Sequence, residues 1–178
     1  MEIEVKVLNV KLDEIEDKLK ALGAKLVSEE YQINTIIDRE DRFIEKSLNS
    51  YLRIRETKNL LTNTKSIKLT LKKNISRGKS RQNIEITTRI DNKEAMLEIL
   101  KDLQYEVVKE GYKNRKTYIY DDIRFDLDRW DKDTYPYEYM EIEVKREEDL
   151  DRAIDLLHIN KEDISTKSIM ELREELNR

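Results

Sequence analysis

Cysteine is absent from this 178-residue chain, which excludes a disulfide framework, a thiolate metal site and a cysteine nucleophile. Glycine occurs only three times and proline once, too few for a flexible linker chain. The single histidine, His158, excludes a multi-histidine zinc site. No apolar run is long enough to cross a membrane, and no signal peptide precedes the first predicted strand. We therefore expect one compact cytoplasmic domain over residues 1–178.

Charged residues are abundant, at 42% of the chain against 38% hydrophobic residues. Such a composition can prevent a core from forming. Here the charges alternate with Ile, Val, Leu and Tyr instead of forming blocks, so we predict an ordered protein. The net charge of -4 argues against a dedicated nucleic-acid binder, which usually carries a basic excess. We expect neither a nucleic-acid nor a membrane partner, and a homodimer stays open.

Hydrophobic periodicity predicts an α+β fold. Alternation with a period of two predicts strand segments at 1–8, 24–38, 48–57, 66–73, 82–90, 105–109, 112–120, 123–129 and 139–146. Helical spacing predicts helices at 11–22, 92–103, 150–157 and 167–176. Segments 39–47 and 74–81 are predicted to be polar connections.

The polar faces of six predicted strands are dominated by full charges of both signs. Any one of these faces could simply be solvated, but solvated strand faces usually include many Thr, Ser and Gln residues. The six faces carry Glu2/Glu4/Lys6, Arg53/Arg55, Lys68/Lys72, Glu85/Arg89, Arg124/Asp126/Asp128 and Glu141/Glu143/Lys145. The predicted helices have apolar stripes, so they need an apolar sheet surface to pack on. We therefore predict a closed barrel with its apolar faces outward, under the helices, and its charged faces inward.

A tunnel lined by buried charges needs partners or a ligand. Carboxylates at positions i and i+2 of a strand lie about 7 Å apart, so two such pairs can converge on hard divalent ions. The pentapeptide 2–6 recurs letter for letter at 141–145 and supplies two pairs. With no cysteine and one histidine, a metal must take carboxylate and water ligands, as Mg²⁺ and Mn²⁺ do. Arginine favours bidentate phosphate contacts, so the tunnel fits a metal-polyphosphate complex.

At these residues the chain resembles the CYTH family of triphosphate tunnel metalloenzymes, which includes class IV adenylyl cyclases, thiamine triphosphatases and inorganic triphosphatases. Matches to the family's motifs keep the family's order over nearly the whole chain. They comprise ExExK at Glu2, Glu4 and Lys6; basic pairs at Arg53/Arg55 and Arg115/Lys116; Thr70 and Lys72; Arg81, Asn83 and Glu85 in part; Asp126 and Asp128; and ExE at Glu141 and Glu143.

The resemblance implies an eight-stranded antiparallel β-barrel tunnel with a triphosphate-bearing small molecule inside it. Together with the charged faces, it predicts metal ligands for Mg²⁺ or Mn²⁺ at Glu2, Glu4, Glu85, Asp126, Asp128, Glu141 and Glu143. The predicted substrate-binding residues are Lys6, Arg53, Arg55, Lys68, Lys72, Arg89, Arg115 and Lys145. We expect Lys6, Arg53 and Arg55 to have catalytic roles.

The reaction that the resemblance implies is metal-assisted phosphoryl chemistry, with three alternatives open. The first is a phosphohydrolase acting on an inorganic, thiamine or nucleoside triphosphate. The second is a class IV-like adenylyl cyclase, although the His-Phe pair that the cyclase branch carries before ExExK is not seen ahead of Glu2. The third is a non-catalytic polyphosphate or nucleotide sensor, since Asn83 stands where the family commonly has a carboxylate.

Overall fold

The structure is a computed structural model that describes residues 2–176, except for the side chains of Glu2 and Arg77. Within this part of the chain there are five α-helices: α1 (Leu12–Ala21), α2 (Phe43–Leu48), α3 (Lys93–Asp102), α4 (Glu147–Leu157) and α5 (Ile169–Leu176). The strands are β1 (Glu2–Val7), β2 (Lys25–Asp38), β3 (Ser50–Asn59), β4 (Thr64–Arg77), β5 (Arg81–Arg89), β6 (Glu106–Tyr120), β7 (Ile123–Trp130), β8 (Tyr139–Val144) and β9 (Ile164–Ser165).

The described strands form one antiparallel sheet that closes on itself. Strands β5, β4, β3, β2, β6, β7, β8 and β1 lie side by side in that order, and β1 pairs back with β5 where Glu2 faces Asn83. The short β9 pairs with the other end of β1, where Lys6 faces Ser165. The predicted α+β barrel of eight strands is therefore confirmed. None of the helices in residues 2–176 is long and apolar enough to cross a membrane.

The apolar strand faces point outward, under the helices, as predicted. The largest core cluster joins Val5 of β1, Phe125 of β7 and Ile142 of β8 to Leu19 of α1 and Ile154 of α4, all buried. The hydrophobic effect drives this arrangement, because each helix covers a strand face that water would otherwise contact.

A second cluster lies under α3 on the neighbouring part of the barrel, where Leu100 packs with Ile37 and Ile54. A third cluster, formed by Tyr135, Tyr139 and Leu172, attaches α5 to the barrel. The first two clusters cover much of the outer surface, although Ile84 and Ile86 of β5 stay exposed, and the third cluster includes Tyr139, which faces the interior.

Two segments that were predicted to be polar connections are partly helix or strand. Segment 39–47 was expected to be a polar connection, but α2 occupies most of it. The Asp38 carboxylate stabilises the start of this helix, because it accepts hydrogen bonds at 2.9 Å and 3.1 Å from the backbone N–H groups of Ile44 and Glu45. Strand β4 extends to Arg77 and so takes in half of the predicted link at 74–81.

The two strands predicted at 105–109 and 112–120 are one strand, β6, which runs through Gly111. A Cβ atom there would collide with the side chain of Thr134, so glycine is needed for packing and does not interrupt the strand.

Candidate functional site

The interior of the barrel is a cavity of about 560 Å³. Every strand of the closed ring contributes to its lining, and so do residues of α5 and of the segment around α2. The inward side chains are the polar ones because side chains alternate along each strand and the apolar set already faces the helices. The cavity lining is therefore a polar site enclosed by an apolar shell.

One part of the interior, which we call the paired wall, consists of Lys6, Arg115, Asp126, Asp128 and Glu141. Arg115 contacts three carboxylates: its Nε lies 2.6 Å from Asp128 Oδ1, and its two Nη atoms lie 2.6 Å from Asp126 and from Glu141. Lys6 Nζ lies 3.1 Å from Glu141. Burial alone would raise the pKa of Glu141, but the charges of Lys6 and Arg115 lower it well below its usual value. The charges of this wall largely compensate each other.

Lys113 extends this network toward the third core cluster. Its Nζ lies 3.0 Å from Asp128 and 5.0 Å from the centre of the Trp130 ring. Burial and repulsion by Arg115 lower the pKa of Lys113 to about 7, although Asp128 favours the charged form. The ammonium form of Lys113 is therefore less favoured than that of an exposed lysine.

The part of the interior formed by β2 and β3, which we call the open wall, has a different character. It consists of Gln32, Asn34, Arg53 and Arg55. Arg55 Nε donates to Asn34 Oδ1 at 2.7 Å, and Arg53 lies 5.6 Å from the Tyr51 ring. Among the described side chains, no carboxylate lies at ion-pair distance from either arginine, and Arg53 Nε has no hydrogen-bond partner. Burial and repulsion by Arg53 and Arg115 lower the pKa of Arg55 to about 9.

Lys72 connects the remaining interior strands. Its Nζ lies 3.2 Å from Glu4 on β1 and 3.1 Å from Glu85 on β5. Asn83 Nδ2 donates to Glu4 at 3.1 Å, and Arg81 Nε donates to Asn83 Oδ1 at 3.2 Å. Burial would raise the pKa of Glu85, but Lys72 and Arg53 lower it.

The carboxylates that face each other across β1 and β8 are the best candidates for a metal site. Glu4 and Glu143 are direct partners in the register, and both line the cavity. Like charges placed directly opposite each other on a sheet are destabilising, and a hard cation with oxygen ligands would relieve that repulsion. The side chain of Glu2 lies outside the described residues, and no group of three or more acidic or histidine side chains within the described part is close enough to hold an ion. The donor chemistry fits Mg²⁺ or Mn²⁺.

The structure brings most of the predicted site residues to one cavity. Its lining includes Glu4, Lys6, Arg53, Arg55, Lys68, Lys72, Glu85, Arg115, Glu141 and Glu143.

Several other predicted site residues lie elsewhere. Lys145 follows the end of β8 and its side chain is 80% exposed, 4.0 Å from Asp122, because the strand stops before it can turn inward. Arg89 is exposed at the last position of β5. Asp126 and Asp128 are buried behind Arg115 and are not part of the lining. Lys116 points outward and binds Glu16 of α1 at 2.9 Å.

The lining also includes residues that were not predicted from the sequence, among them Gln32, Asn34 and Lys113. The first two are uncharged, so a search for charged faces passes over them. Lys113 lies in the predicted strand 112–120, two positions before Arg115 and therefore on the same face, but the family motif covers only Arg115 and Lys116.

Known structures share this architecture. PH1012 protein from Pyrococcus horikoshii OT3 superposes with a TM-score of 0.80 at 25% identity, covering 97% of this chain and 99% of that one. PH1819 protein from the same organism has a TM-score of 0.81 at 23% identity, covering 98% and 99%. HpAC1 from Hippeastrum, described as a candidate adenylyl cyclase with a dominant triphosphatase activity, has a TM-score of 0.69 at 18% identity, covering 94% and 91%. At such identities the last two establish a common fold.

No curated protein matches the chain significantly. The family model described as the CYTH domain matches residues 1–169, nearly the whole sequence. Both the barrel and the ordered charged motifs agree with that match, and the chain belongs to the CYTH family.

Proposed function

We propose that this protein is a divalent-metal-dependent phosphohydrolase that acts on a triphosphate-bearing small molecule inside the barrel. The observation that carries the proposal is the open wall: Arg53 and Arg55 face the cavity, and no described carboxylate lies at ion-pair distance from either. Arg53 and Arg55 repel each other, so the pair favours an anionic ligand. Guanidinium groups bind phosphate oxygens in bidentate geometry, which suits the inorganic, thiamine and nucleoside triphosphates alike.

Mg²⁺ or Mn²⁺ is the cofactor that fits the acidic side of the cavity. Glu4 and Glu143 would hold it, with Glu2 two residues before Glu4 on the same strand and Glu141 two residues before Glu143. When bound, such an ion neutralises part of the negative charge of the phosphate oxygens. Because Asn83 hydrogen-bonds Glu4, it orients a carboxylate of this set and adds no charge of its own.

The basic residues of the chain would hold the phosphates and stabilise the charge that develops in the reaction. Lys6, Arg53 and Arg55 are the proposed catalytic residues, and Lys68 and Lys72 extend the binding surface along β4. In hydrolysis, a water attacks the terminal phosphorus, the bridging P–O bond breaks, and the shorter phosphate chain leaves with the bonding electrons. Positioned cations assist because charge on the phosphoryl oxygens is largest as that bond breaks.

The test is a product assay with tripolyphosphate, thiamine triphosphate and ATP in parallel, each with Mg²⁺ and with Mn²⁺. We expect phosphate release that a chelator abolishes and that Arg53→Gln lowers by about 100- to 1000-fold. Arg152→Gln is the matched control, because Arg152 lies on α4, where its side chain is 45% exposed and paired with Asp121. That variant should release phosphate at the wild-type rate.

Other products would identify the alternative functions. Cyclic AMP and pyrophosphate formed from ATP would show that the 3′-hydroxyl attacks the α-phosphorus, and the protein would then be a cyclase. Tight binding of a triphosphate with no product from any of the three would show a sensor. Either result would refute the hydrolase proposal.

A further inference from the structure

One band of the barrel interior is almost free of charge. It runs across five neighbouring strands through Trp130, Lys113, Gln32, Thr57 and Ser66, which are consecutive partners in the strand register. All five line the cavity, and Lys113 is the only ionisable member. We call this set the neutral band.

The next inward residues along β2, β3 and β4 are different. Asn34, Arg55 and Lys68 are again register partners, and two of the three are basic. Inward residues of one strand are about 7 Å apart, so the neutral band and this basic row are within reach of a single organic triphosphate. The phosphates would be drawn to the basic row, and the rest of the molecule would lie along the neutral band.

The side-chain amide of Gln32 indicates which hydrogen-bonding groups a ligand of the neutral band would carry. Its side chain is 1% exposed, and its Nε2 donates to Glu30 at 2.6 Å. Its Oε1 has no hydrogen-bond partner among the described residues, and neither does Nδ2 of Asn34. Buried polar atoms are nearly always hydrogen-bonded, and Gln32 lines the cavity, so its unpaired amide oxygen favours a ligand with an O–H or N–H donor. The ionised oxygens of inorganic tripolyphosphate only accept hydrogen bonds and cannot satisfy Oε1.

We propose that the neutral band binds the organic part of the substrate through its hydroxyl or amino groups, so that this tunnel prefers nucleoside triphosphates to inorganic tripolyphosphate. The proposal rests on the proposed function for the placement of the phosphates. Thr57 and Ser66 add hydroxyl groups, which both donate and accept, and the Trp130 ring supplies an aromatic wall. This mixture of hydroxyl, amide and aromatic groups suits a sugar and a heterocyclic base better than it suits a phosphate.

The test is equilibrium binding of ATP and of tripolyphosphate in metal-free buffer, where hydrolysis does not consume the ligand. We expect the wild type to bind ATP at least about tenfold more tightly. Gln32→Met and Thr57→Val should each weaken ATP binding by about 5- to 10-fold and change tripolyphosphate binding by less than about twofold. Thr88→Val is the matched control, because Thr88 is exposed on the outer face of β5 and should affect neither ligand.

Equal affinity for the two ligands in the wild type, or equal losses for both ligands in the variants, would overturn the inference. Thr57→Val is nearly isosteric, so it gives a result even if Gln32→Met fails to fold. Phosphate release is measured separately with metal added. Preference for ATP without phosphate release would refute only the proposed function. Phosphate release without preference for ATP would refute only the inference that the neutral band binds the organic part of the substrate.

Discussion

The cationic side chains in two parts of the same barrel differ in whether carboxylates pair with them. On the paired wall, Arg115 lies among three carboxylates, and Lys6 adds a second cation. On the open wall, Arg53 and Arg55 lie side by side with no such partner among the described residues. Strands β3 and β8 are four positions apart in the ring of eight, so Arg53 and Arg55 lie across the cavity from Glu141, whereas the two walls adjoin where β2 pairs with β6.

The difference separates Arg115, whose ion pairs maintain the barrel, from Arg53 and Arg55, which are available to a ligand. A charge that is already paired in a low-dielectric interior gains little from a ligand, and breaking its pair is costly. Two neighbouring cations without an ion-pair partner are the reverse, because a phosphate provides a counter-charge at close range. Arg115 and Arg55 both line the cavity and both match the family motif, but among the described side chains only Arg115 is held by carboxylates.

Arg115→Met should have the largest effect on stability. It removes the cation shared by Asp126, Asp128 and Glu141, and breaking a buried ion pair typically costs about 3–5 kcal/mol of unfolding free energy. Denaturant unfolding measures the loss. The control is Arg129→Met, whose side chain is 41% exposed and paired with Asp13 and Glu138, and it should cost less than about 1 kcal/mol. Similar losses in the two variants would contradict the assignment of the paired wall.

Glu16→Gln should have a smaller effect, on the outer side of the same wall. Burial opposes ionisation of Glu16, but hydrogen bonds from Tyr118, Lys116 and Lys20 lower its pKa from 4.5 to about 2. Because the folded pKa is the lower one, this stabilisation is complete above pH 4.5 and is lost as the pH falls toward 2. We expect the variant to lose about 1–2 kcal/mol at pH 7 and to approach the wild type in acid. Urea unfolding at pH 7 and at pH 3 would show it, and a pH-independent difference would contradict it.

The sequence predicts the barrel well because its signal is periodic. Charged and apolar residues alternate throughout β1 and from Met140 onward in β8, and side-chain alternation then determines both faces. The prediction is less accurate where packing overrides the local pattern. Gly111 suggests a break, but it is needed because Thr134 packs against β6, and α2 begins where the Asp38 carboxylate caps it.

The site could be predicted in its residue types but not in its pairing. Arg53, Arg55 and Arg115 all appear as inward basic residues in the sequence. Whether a carboxylate lies within 3 Å of each depends on the register of β6 against β7 and of β7 against β8, which the alternation of side chains does not determine. Likewise, nothing in the sequence indicates that Gln32 Oε1 lacks a partner, since this depends on every neighbour in the closed ring.

The contrast between the walls is tested most directly by thermal unfolding of Arg55→Met with and without tripolyphosphate and Mg²⁺. Ligand that binds only the folded state raises the midpoint of the wild type. The variant loses an unpaired cation whose pKa burial lowers to about 9, so its ligand-free midpoint should stay within about 3 °C of the wild type. Its midpoint should no longer respond to tripolyphosphate. A ligand-free midpoint lower by more than about 8 °C, or a ligand shift as large as that of the wild type, would contradict the account.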